Sequence, residues 1–169
     1  MIPWNANPGG GRERRDESRA APCTADRPGG ALTMAIGTPV LVTGCAGFIG
    51  MHTAERLLAQ GRQVTGVDNF DPYYDVALKE ARLARLVRQP GFRFLRVDLA
   101  AADATASLFR DGAFGQVIHL AAQPGVRYSL VNPGAYFANN LTAFGHVVEG
   151  CRRAGVEHLV YASSSSVYG

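Results

Sequence analysis

The segment VLVTGCAGFIG, residues 40–50, joins a short apolar run to a turn that contains Gly44, Gly47 and Gly50. The apolar run is typical of a buried strand, and an amphipathic helical pattern follows it. In such a unit the first glycine permits a tight turn, the second lets backbone approach a pyrophosphate, and the third lets helix and strand pack closely. The spacing is G-x-x-G-x-x-G rather than G-x-G-x-x-G, so on its own this turn is only a weak indication of nucleotide binding.

The pattern downstream strengthens this interpretation, because short apolar runs alternate with longer amphipathic ones. Five runs are predicted to be strands, at 39–43, 63–68, 92–98, 116–122 and 157–163. Strands that alternate with helices form parallel sheets covered on both faces. The predicted fold class is therefore α/β, a Rossmann-like doubly wound parallel sheet that stops after the fifth strand.

Two helices are predicted with particular clarity. Over residues 48–60 one half of the helix is apolar, with Ile49, Ala54, Leu57 and Leu58. Over residues 133–154 a helical stripe runs through Phe137, Leu141, Phe144, Val148 and Cys151. Asn132 is the expected N-cap of this second helix, Pro133 its first residue and Gly155 its terminator.

The first 36 residues differ from the rest. Residues 1–36 are rich in Gly, Pro, Arg and acidic residues and show no apolar period, so we expect a disordered N-terminal extension. Residues 37–169 are predicted to form the ordered domain. Met34 stands just before the first ordered pattern, and we hypothesise that it is the natural start.

The overall composition favours one globular domain, because 47% of the 169 residues are hydrophobic. A net charge of +3 gives little reason to expect a nucleic-acid partner, and no apolar stretch approaches the ~18 residues that span a bilayer. The three cysteines, Cys23, Cys45 and Cys151, are widely spaced and form no metal-ligand pair. No metal site is predicted, and a reducing cytoplasm is the simplest location.

Asp68 supports dinucleotide binding, since it ends the second predicted strand, where a carboxylate can accept hydrogen bonds from an adenosine ribose. Its charge would repel a 2′-phosphate, so NAD is expected rather than NADP. Asp98 could contact the adenine amino group, or could equally cap the next helix, and His119 is interpreted as a core histidine rather than a catalytic one. The predicted cofactor-binding residues are Gly44, Gly47, Phe48, Ile49, Gly50, Asp68, Asn69, Asp98, Leu99, Ala121 and Ala122.

Four segments together resemble the extended short-chain dehydrogenase/reductase family: VTGCAGFIG, VDNFDPYYD, HLAAQPGVRYSLVNP and YASSSSVYG. Within that family the chain is most similar to the UDP-glucuronate 4-epimerases over residues 39–169. The glycine turn is common to the whole superfamily. DNFDPYYD (68–75) and AAQPGVRYS (121–129) are more specific, and they favour the uronate epimerases over UDP-glucose epimerases and sugar-nucleotide dehydratases.

The resemblance implies that NAD takes a hydride from C4 of a UDP-sugar and returns it to the other face of a 4-keto intermediate. It implies Ser164 as the catalytic serine that hydrogen-bonds the reacting oxygen. Arg127 would pair with the substrate carboxylate, and Asn140, Ser163 and Ser165 would line the substrate site. Otherwise, Arg127 would be a solvated loop residue and the serines would cap the strand end.

The family also uses a Tyr-x-x-x-Lys pair, and this chain lacks one. Its single lysine, Lys79, has Asp75 rather than tyrosine four residues before it, and the resemblance places the pair beyond Gly169. The resemblance therefore implies that residues 37–169 are an incomplete NAD-binding domain without a C-terminal substrate domain, and we expect the truncated chain to be inactive alone and to self-associate. The full-length protein is expected to be a homodimer through helix 133–154.

Other functions remain open at this point. A UDP-glucose 4-epimerase or sugar-nucleotide dehydratase fragment is the alternative within the enzyme class, and a non-catalytic NAD-binding module is the alternative outside it. A dehydratase usually carries an acid pair just after the catalytic serine, where this chain has Ser165 and Ser166.

Overall fold

The computed structural model describes residues 37–168, apart from the side chains of Ser165 and Ser166. The predicted disordered extension, the Met34 start and Cys23 lie outside the described residues. Between residues 37 and 168, no helix combines the length and apolar character that crossing a bilayer requires.

Five parallel strands form one sheet in the order β3-β2-β1-β4-β5. This order confirms the predicted Rossmann-like α/β fold. The strands are β1 (Val40–Thr43), β2 (Val64–Asp68), β3 (Phe92–Arg96), β4 (Gln116–His119) and β5 (His158–Tyr161).

The helices follow the strands in alternation. They are α1 (Phe48–Ala59), α2 (Val76–Leu86), α3 (Ala102–Gly112), α4 (Pro133–Tyr136) and α5 (Ala143–Ala154). A π-helical turn, Phe137–Thr142, joins α4 to α5, and 3-10 turns cover Val126–Leu130 and Ser165–Tyr168.

The strands are shorter than predicted, chiefly at their carboxyl ends. The third was expected to reach residue 98 and ends at Arg96, and the fourth was expected to reach residue 122 and ends at His119. The apolar residues beyond these points leave the ladder and line a cleft instead. Burial extends the apolar run past the point where strand pairing stops, so hydropathy alone overestimates strand length.

Two hydrophobic clusters cover the two faces of the sheet. Val40 and Val42 of β1 point into one cluster, which α1 and α2 close with Met51 and Leu86. Leu41 points into the other, which is closed by side chains of α3 and α5, including Leu108, Phe109, Val147 and Cys151. This alternation along β1 explains why its residues read as an unbroken apolar run.

The predicted helix 133–154 forms, but only part of its predicted apolar stripe faces the sheet: the Phe144 ring lies 5.0 Å from the Tyr161 ring of β5, and Cys151 is buried. Asn132 caps its start by accepting a hydrogen bond from the Ala135 N–H at 3.3 Å, and Gly155 ends it with a left-handed backbone. Phe137 and Leu141 are 62% and 61% exposed. The buried side of α5 consists mainly of small residues, Ala143, Val147, Gly150 and Cys151. This helix has two apolar faces, so periodicity alone does not predict which face is buried. The face with the smaller residues packs against the sheet because it permits the closer approach.

Gly50 makes a close contact between α1 and the turn that follows β1. A Cβ at this position would collide with the carbonyl oxygen of Gly44 and would lie 2.9 Å from the Cα of Cys45. Both neighbours are backbone atoms, so neither can move away as a side-chain end could.

Gly50→Ala is therefore expected to lower the free energy of unfolding by roughly 1–3 kcal/mol, the cost of overpacking a rigid contact. The measurement is urea unfolding followed by circular dichroism. Gly145→Ala in α5 is the matched control, since a Cβ there meets nothing within 4 Å. Equal stability of the two variants would contradict this interpretation of Gly50.

Candidate functional site

A cleft of about 330 Å³ opens at the carboxyl ends of the strands, between β1 and β4. The chain proceeds from β1 to β2 on one side of the sheet and continues to β4 on the other, so the sheet order reverses at this point. Ligands of open α/β sheets bind at such a reversal. Residues at the carboxyl ends of all five strands line the cleft, from the segments 44–50, 67–79, 97–99 and 120–124 and at Ala162 after β5.

The glycine turn forms the floor of the cleft. Gly44 has a φ of +67°, and a Cβ there would lie 2.9 Å from the backbone nitrogen of Ala121. Gly47 is the N-cap of α1 and supplies no capping side chain. The first N–H groups of α1 are consequently available to an anion, with the helix dipole favouring negative charge. The turn thus fits the pyrophosphate of a dinucleotide.

Phe48 and Ile49 flank this anion site. They are 65% and 64% exposed, although they begin a helix whose later apolar residues are buried. The predicted apolar half of α1 is therefore wrong at Ile49, since its side chain borders the cleft rather than the core. Both residues were predicted to bind the cofactor, and their position in the cleft is compatible with that role.

Asp68 is held in a fixed orientation at the end of β2. Its Oδ2 accepts a hydrogen bond from the Ala46 N–H at 3.2 Å, and its Oδ1 accepts one from the Phe70 N–H at 2.8 Å. The carboxylate is 7% exposed and lines the cleft. A carboxylate offers about four acceptor positions, so some capacity remains for ribose hydroxyls.

Lys79 lines the cleft, although the sequence analysis considered it only as a candidate for the Tyr-x-x-x-Lys pair. Its Nζ lies 3.2 Å from Oδ1 of Asp68, and both side chains are largely buried, with 12% and 6% exposed. Lys79 therefore balances the Asp68 charge and brings a donor to the place predicted for the ribose. The spacing of 11 residues across a loop and a helix gave no periodic signal that would have paired them.

Thr43 ties the ends of β1 and β4 together beside the glycine turn. Its hydroxyl oxygen accepts hydrogen bonds from the Leu120 and Ala121 N–H groups, each at 3.1 Å. A hydroxyl has two lone pairs and one proton, so its proton must go to the third partner, Nδ1 of His119, at 2.8 Å. This network assigns the proton of the neutral imidazole to Nε2.

His119 is a buried, hydrogen-bonded core residue, as predicted, and is 6% exposed. Burial lowers its pKa from 6.5 to about 4. The imidazole therefore stays neutral at physiological pH and can keep accepting from Thr43. Protonation would place a donor against the hydroxyl proton and a charge in the core.

Cys45 occupies the position after Gly44 and is fully buried. Burial raises the pKa of its thiol far above the usual range, and the neighbouring Asp68 carboxylate raises it further. The thiol therefore remains protonated and acts as a small apolar group beneath the turn.

The remaining predicted cofactor residues lie where the sequence placed them. Asn69, Asp98, Leu99, Ala121 and Ala122 all line the cleft. The Asp98 carboxylate accepts a hydrogen bond from the Ala100 N–H at 2.9 Å. This hydrogen bond closes an Asx turn and does not cap α3, whose N-cap is Ala101 and which receives no side-chain cap, so the alternative role of Asp98 as a helix cap is wrong. Asp98 is exposed at the cleft, and contact with adenine stays a prediction.

The predicted substrate residues are not gathered at the cleft. Arg127 is exposed on the 3-10 turn 126–130, and Ser163 and Ser164 are exposed after β5. The side chain of Ser165 lies outside the described part of the chain. Asn140 uses its amide on backbone: its Oδ1 accepts from the Gln123 N–H at 2.7 Å and its Nδ2 donates to the Gln123 carbonyl at 3.0 Å. The roles of these residues stay predictions.

Sequence reasoning missed several residues that border the cleft. They are Asp71, Tyr73, Tyr74, Gln123, Pro124 and Asn139. Most belong to DNFDPYYD and AAQPGVRYS, the two motifs that were recognised as specific without being given a structural role. Membership of these two motifs was therefore the sequence signal that could have identified these cleft residues.

Comparison with protein families decides the assignment, because residues 40–169 match the NAD dependent epimerase/dehydratase family. The chain belongs to this family. The resemblance to extended short-chain dehydrogenases/reductases and the expected NAD cofactor are thereby confirmed.

Several epimerases are similar to this family member. The probable UDP-glucuronate 4-epimerase of Rhizobium meliloti (strain 1021) is 48% identical over 132 residues, which cover 76% of this chain and 38% of the relative. UDP-glucuronate 4-epimerase 2 of Arabidopsis thaliana is 45% identical over 134 residues, covering 79% of this chain and 31% of the relative.

A solved structure agrees with these relatives. The UDP-glucuronic acid 4-epimerase of Bacillus cereus, in complex with UDP-glucuronic acid and NAD, is 35% identical and superimposes with a TM-score of 0.71. The match covers 78% of this chain and 42% of that one. The chain thus spans well under half the length of the epimerases that it resembles.

Because His119 is buried in its neutral form, the folded protein is expected to lose stability in acid. With a folded pKa of about 4 and an unfolded pKa near 6.5, the unfolded state binds more protons between these values, so stability falls as the pH drops through this window. We expect His119 to account for a loss of about 2 kcal/mol between pH 7 and pH 5.

Urea unfolding at pH 7 and pH 5 measures this loss. His119→Asn retains an acceptor for Thr43 but does not titrate, and should remove that part of the pH dependence. His158→Asn on exposed β5 is the control and should retain it. An unchanged pH dependence in His119→Asn would contradict the assignment.

Proposed function

We propose that this chain is the NAD-binding part of a nucleotide-sugar epimerase that interconverts UDP-glucuronate and UDP-galacturonate. The observation that carries the proposal is the meeting of DNFDPYYD and AAQPGVRYS at one cleft, beside the glycine turn and Asp68. The identity to relatives named UDP-glucuronate 4-epimerases supports the same substrate pair.

In this proposal, each element of the cleft has a binding task. NAD, when bound, supplies the acceptor and donor of a hydride. The N-terminus of α1 holds the pyrophosphate, and Asp68 with Lys79 holds the adenosine ribose. Ala121 and Ala122 leave space at the end of β4, where the reacting end of the cofactor would lie.

The substrate would approach from the carboxyl end of β5. We propose that Ser164 donates a hydrogen bond to the sugar oxygen as it gains charge, with Ser163 and Ser165 beside it. Arg127 would provide a bidentate partner for the uronate carboxylate. Asn140 would act indirectly, because its amide fixes the backbone of Gln123 at the edge of the cleft.

A non-catalytic NAD-binding module is the second candidate. The observation that favours it is the separation of the two groups of residues: the cofactor residues line the cleft, whereas Arg127, Ser163 and Ser164 do not. We further propose that the protein resides in the cytoplasm, in keeping with the free, buried thiols of Cys45 and Cys151.

The purified 169-residue chain is expected to bind NAD but to show no turnover of UDP-glucuronate, because the sequence contains no Tyr-x-x-x-Lys pair. Chromatographic separation of UDP-glucuronate from UDP-galacturonate measures this directly. Clear product formation by the chain alone would overturn the proposed inactivity.

A chimaera then tests the reaction. Residues 37–169 replace the matching part of the Rhizobium meliloti relative, and we expect turnover of UDP-glucuronate. Ser164→Ala in the chimaera should lower kcat by roughly 100-fold or more, as loss of an oxyanion donor does. Ser107→Ala, on α3 and outside the cleft, is the matched control. A folded, NAD-loaded chimaera without activity would favour the module over the epimerase.

We also propose that the chain self-associates as a homodimer through the exposed face of the helical segment 133–154. Phe137, Leu141 and Val148 place a row of exposed apolar side chains there, at 62%, 61% and 41% exposure. Light scattering should give a dimer that Leu141→Glu converts to a monomer. Val87→Glu, at an exposed apolar residue following α2, is the control, and a monomeric wild-type chain would contradict this proposal.

A further inference from the structure

The loop that follows β2 is built by its own side chains. Asn69 accepts a hydrogen bond from the Asp71 N–H at 2.9 Å, and Asp71 accepts one from the Tyr73 N–H at 2.9 Å. Asp75 then caps α2 by accepting from the Ala77 N–H at 2.9 Å. Successive Asx turns of this kind give the loop a defined shape without strand or helix, and they fix where Tyr73 stands.

The loop that follows β4 is held from behind by the helical segment 133–142. The Asn140 amide makes two hydrogen bonds to the backbone of Gln123. The single proton of the Tyr136 hydroxyl is shared between the carbonyl oxygens of Pro124, at 2.9 Å, and Gly125. These hydrogen bonds therefore fix the loop to the helical segment 133–142.

The two loops meet through Tyr73, Gly125 and Tyr128, which we call the tyrosine clasp. The rings of Tyr73 and Tyr128 lie 4.9 Å apart with their planes tilted by 45°. The Tyr73 hydroxyl lies where a Cβ of residue 125 would be, so only glycine permits this approach. The contact joins a loop from β2 to a loop from β4, across the strand order β2-β1-β4.

The clasp stands at the cleft itself. Tyr73 and Tyr74 line it from one loop, and Gln123 and Pro124 line it from the other. A ligand that extends from Asp68 to Ala121 would pass between these loops. Such a ligand could leave only through a narrower opening or after the two loops had separated.

We propose that the tyrosine clasp is a strap that retains NAD in the cleft. This inference rests on the proposed function, in which the cofactor is regenerated in each cycle and need not leave. A contact that slows both entry and release suits such an enzyme, because the affinity can remain moderate while residence is long. Tyr73 and Tyr128 are therefore assigned to cofactor retention and not to the chemical step.

Release of NADH from the 169-residue chain tests the proposal by stopped-flow fluorescence, with excess NAD as the competitor. Tyr73→Ala is expected to release NADH roughly 3- to 10-fold faster, the range that one aromatic pair supports. Its association rate should be no lower than that of the wild type, because the opening is wider. Tyr73→Phe keeps the ring contact and should stay within about twofold of wild type.

Tyr128→Ala and the double variant Tyr73→Ala/Tyr128→Ala complete a double-mutant cycle. If the two rings act as one contact, the double variant should release NADH no faster than the faster single variant. Release rates that multiply, or that do not change in Tyr73→Ala, would overturn the clasp. So would faster release accompanied by slower association and a lower Tm, which would indicate a disordered site. A wild-type chain that fails to bind NADH would overturn the proposed function as well, whereas binding with unaltered release would overturn the clasp alone.

Discussion

The site depends on the close approach of three backbone segments at Gly44. On one side the helix α1 packs onto the turn through Gly50, and on the other the segment after β4 passes Gly44 at Ala121. No side chain fits between these segments, so the helix N-terminus and the end of β4 are brought within reach of one ligand. The anion site and the wall of the cleft are consequences of this one steric constraint.

Two polar groups convert this packing into a defined geometry. The Thr43 hydroxyl accepts from two N–H groups beyond β4 and donates to a histidine that burial keeps neutral. The Asp68 carboxylate is fixed by two backbone N–H groups and by Lys79. In each case the hydrogen bonds are made within the protein, so the site is organised without a ligand and ordering costs on binding are reduced.

The two motifs that resemble those of the uronate epimerases meet in the structure. DNFDPYYD and AAQPGVRYS are separated by more than forty residues in the chain, yet Tyr73 and Tyr128 are in ring contact. Residues of both motifs line the cleft that we propose binds NAD. Of the residues proposed to contact the sugar, Arg127 belongs to AAQPGVRYS, whereas Ser163 and Ser164 follow β5.

The sequence by itself determined the sheet class, the glycine turn, the acid at the end of β2 and the cap of α4, because each depends on local patterns of a few residues. It did not determine which face of helix 133–154 is buried, since small residues pack closely there and leave Phe137 and Leu141 exposed. Nor did it pair Lys79 with Asp68 or Tyr73 with Tyr128. Those contacts join segments that become neighbours only when parallel strands align, and no local period encodes that alignment.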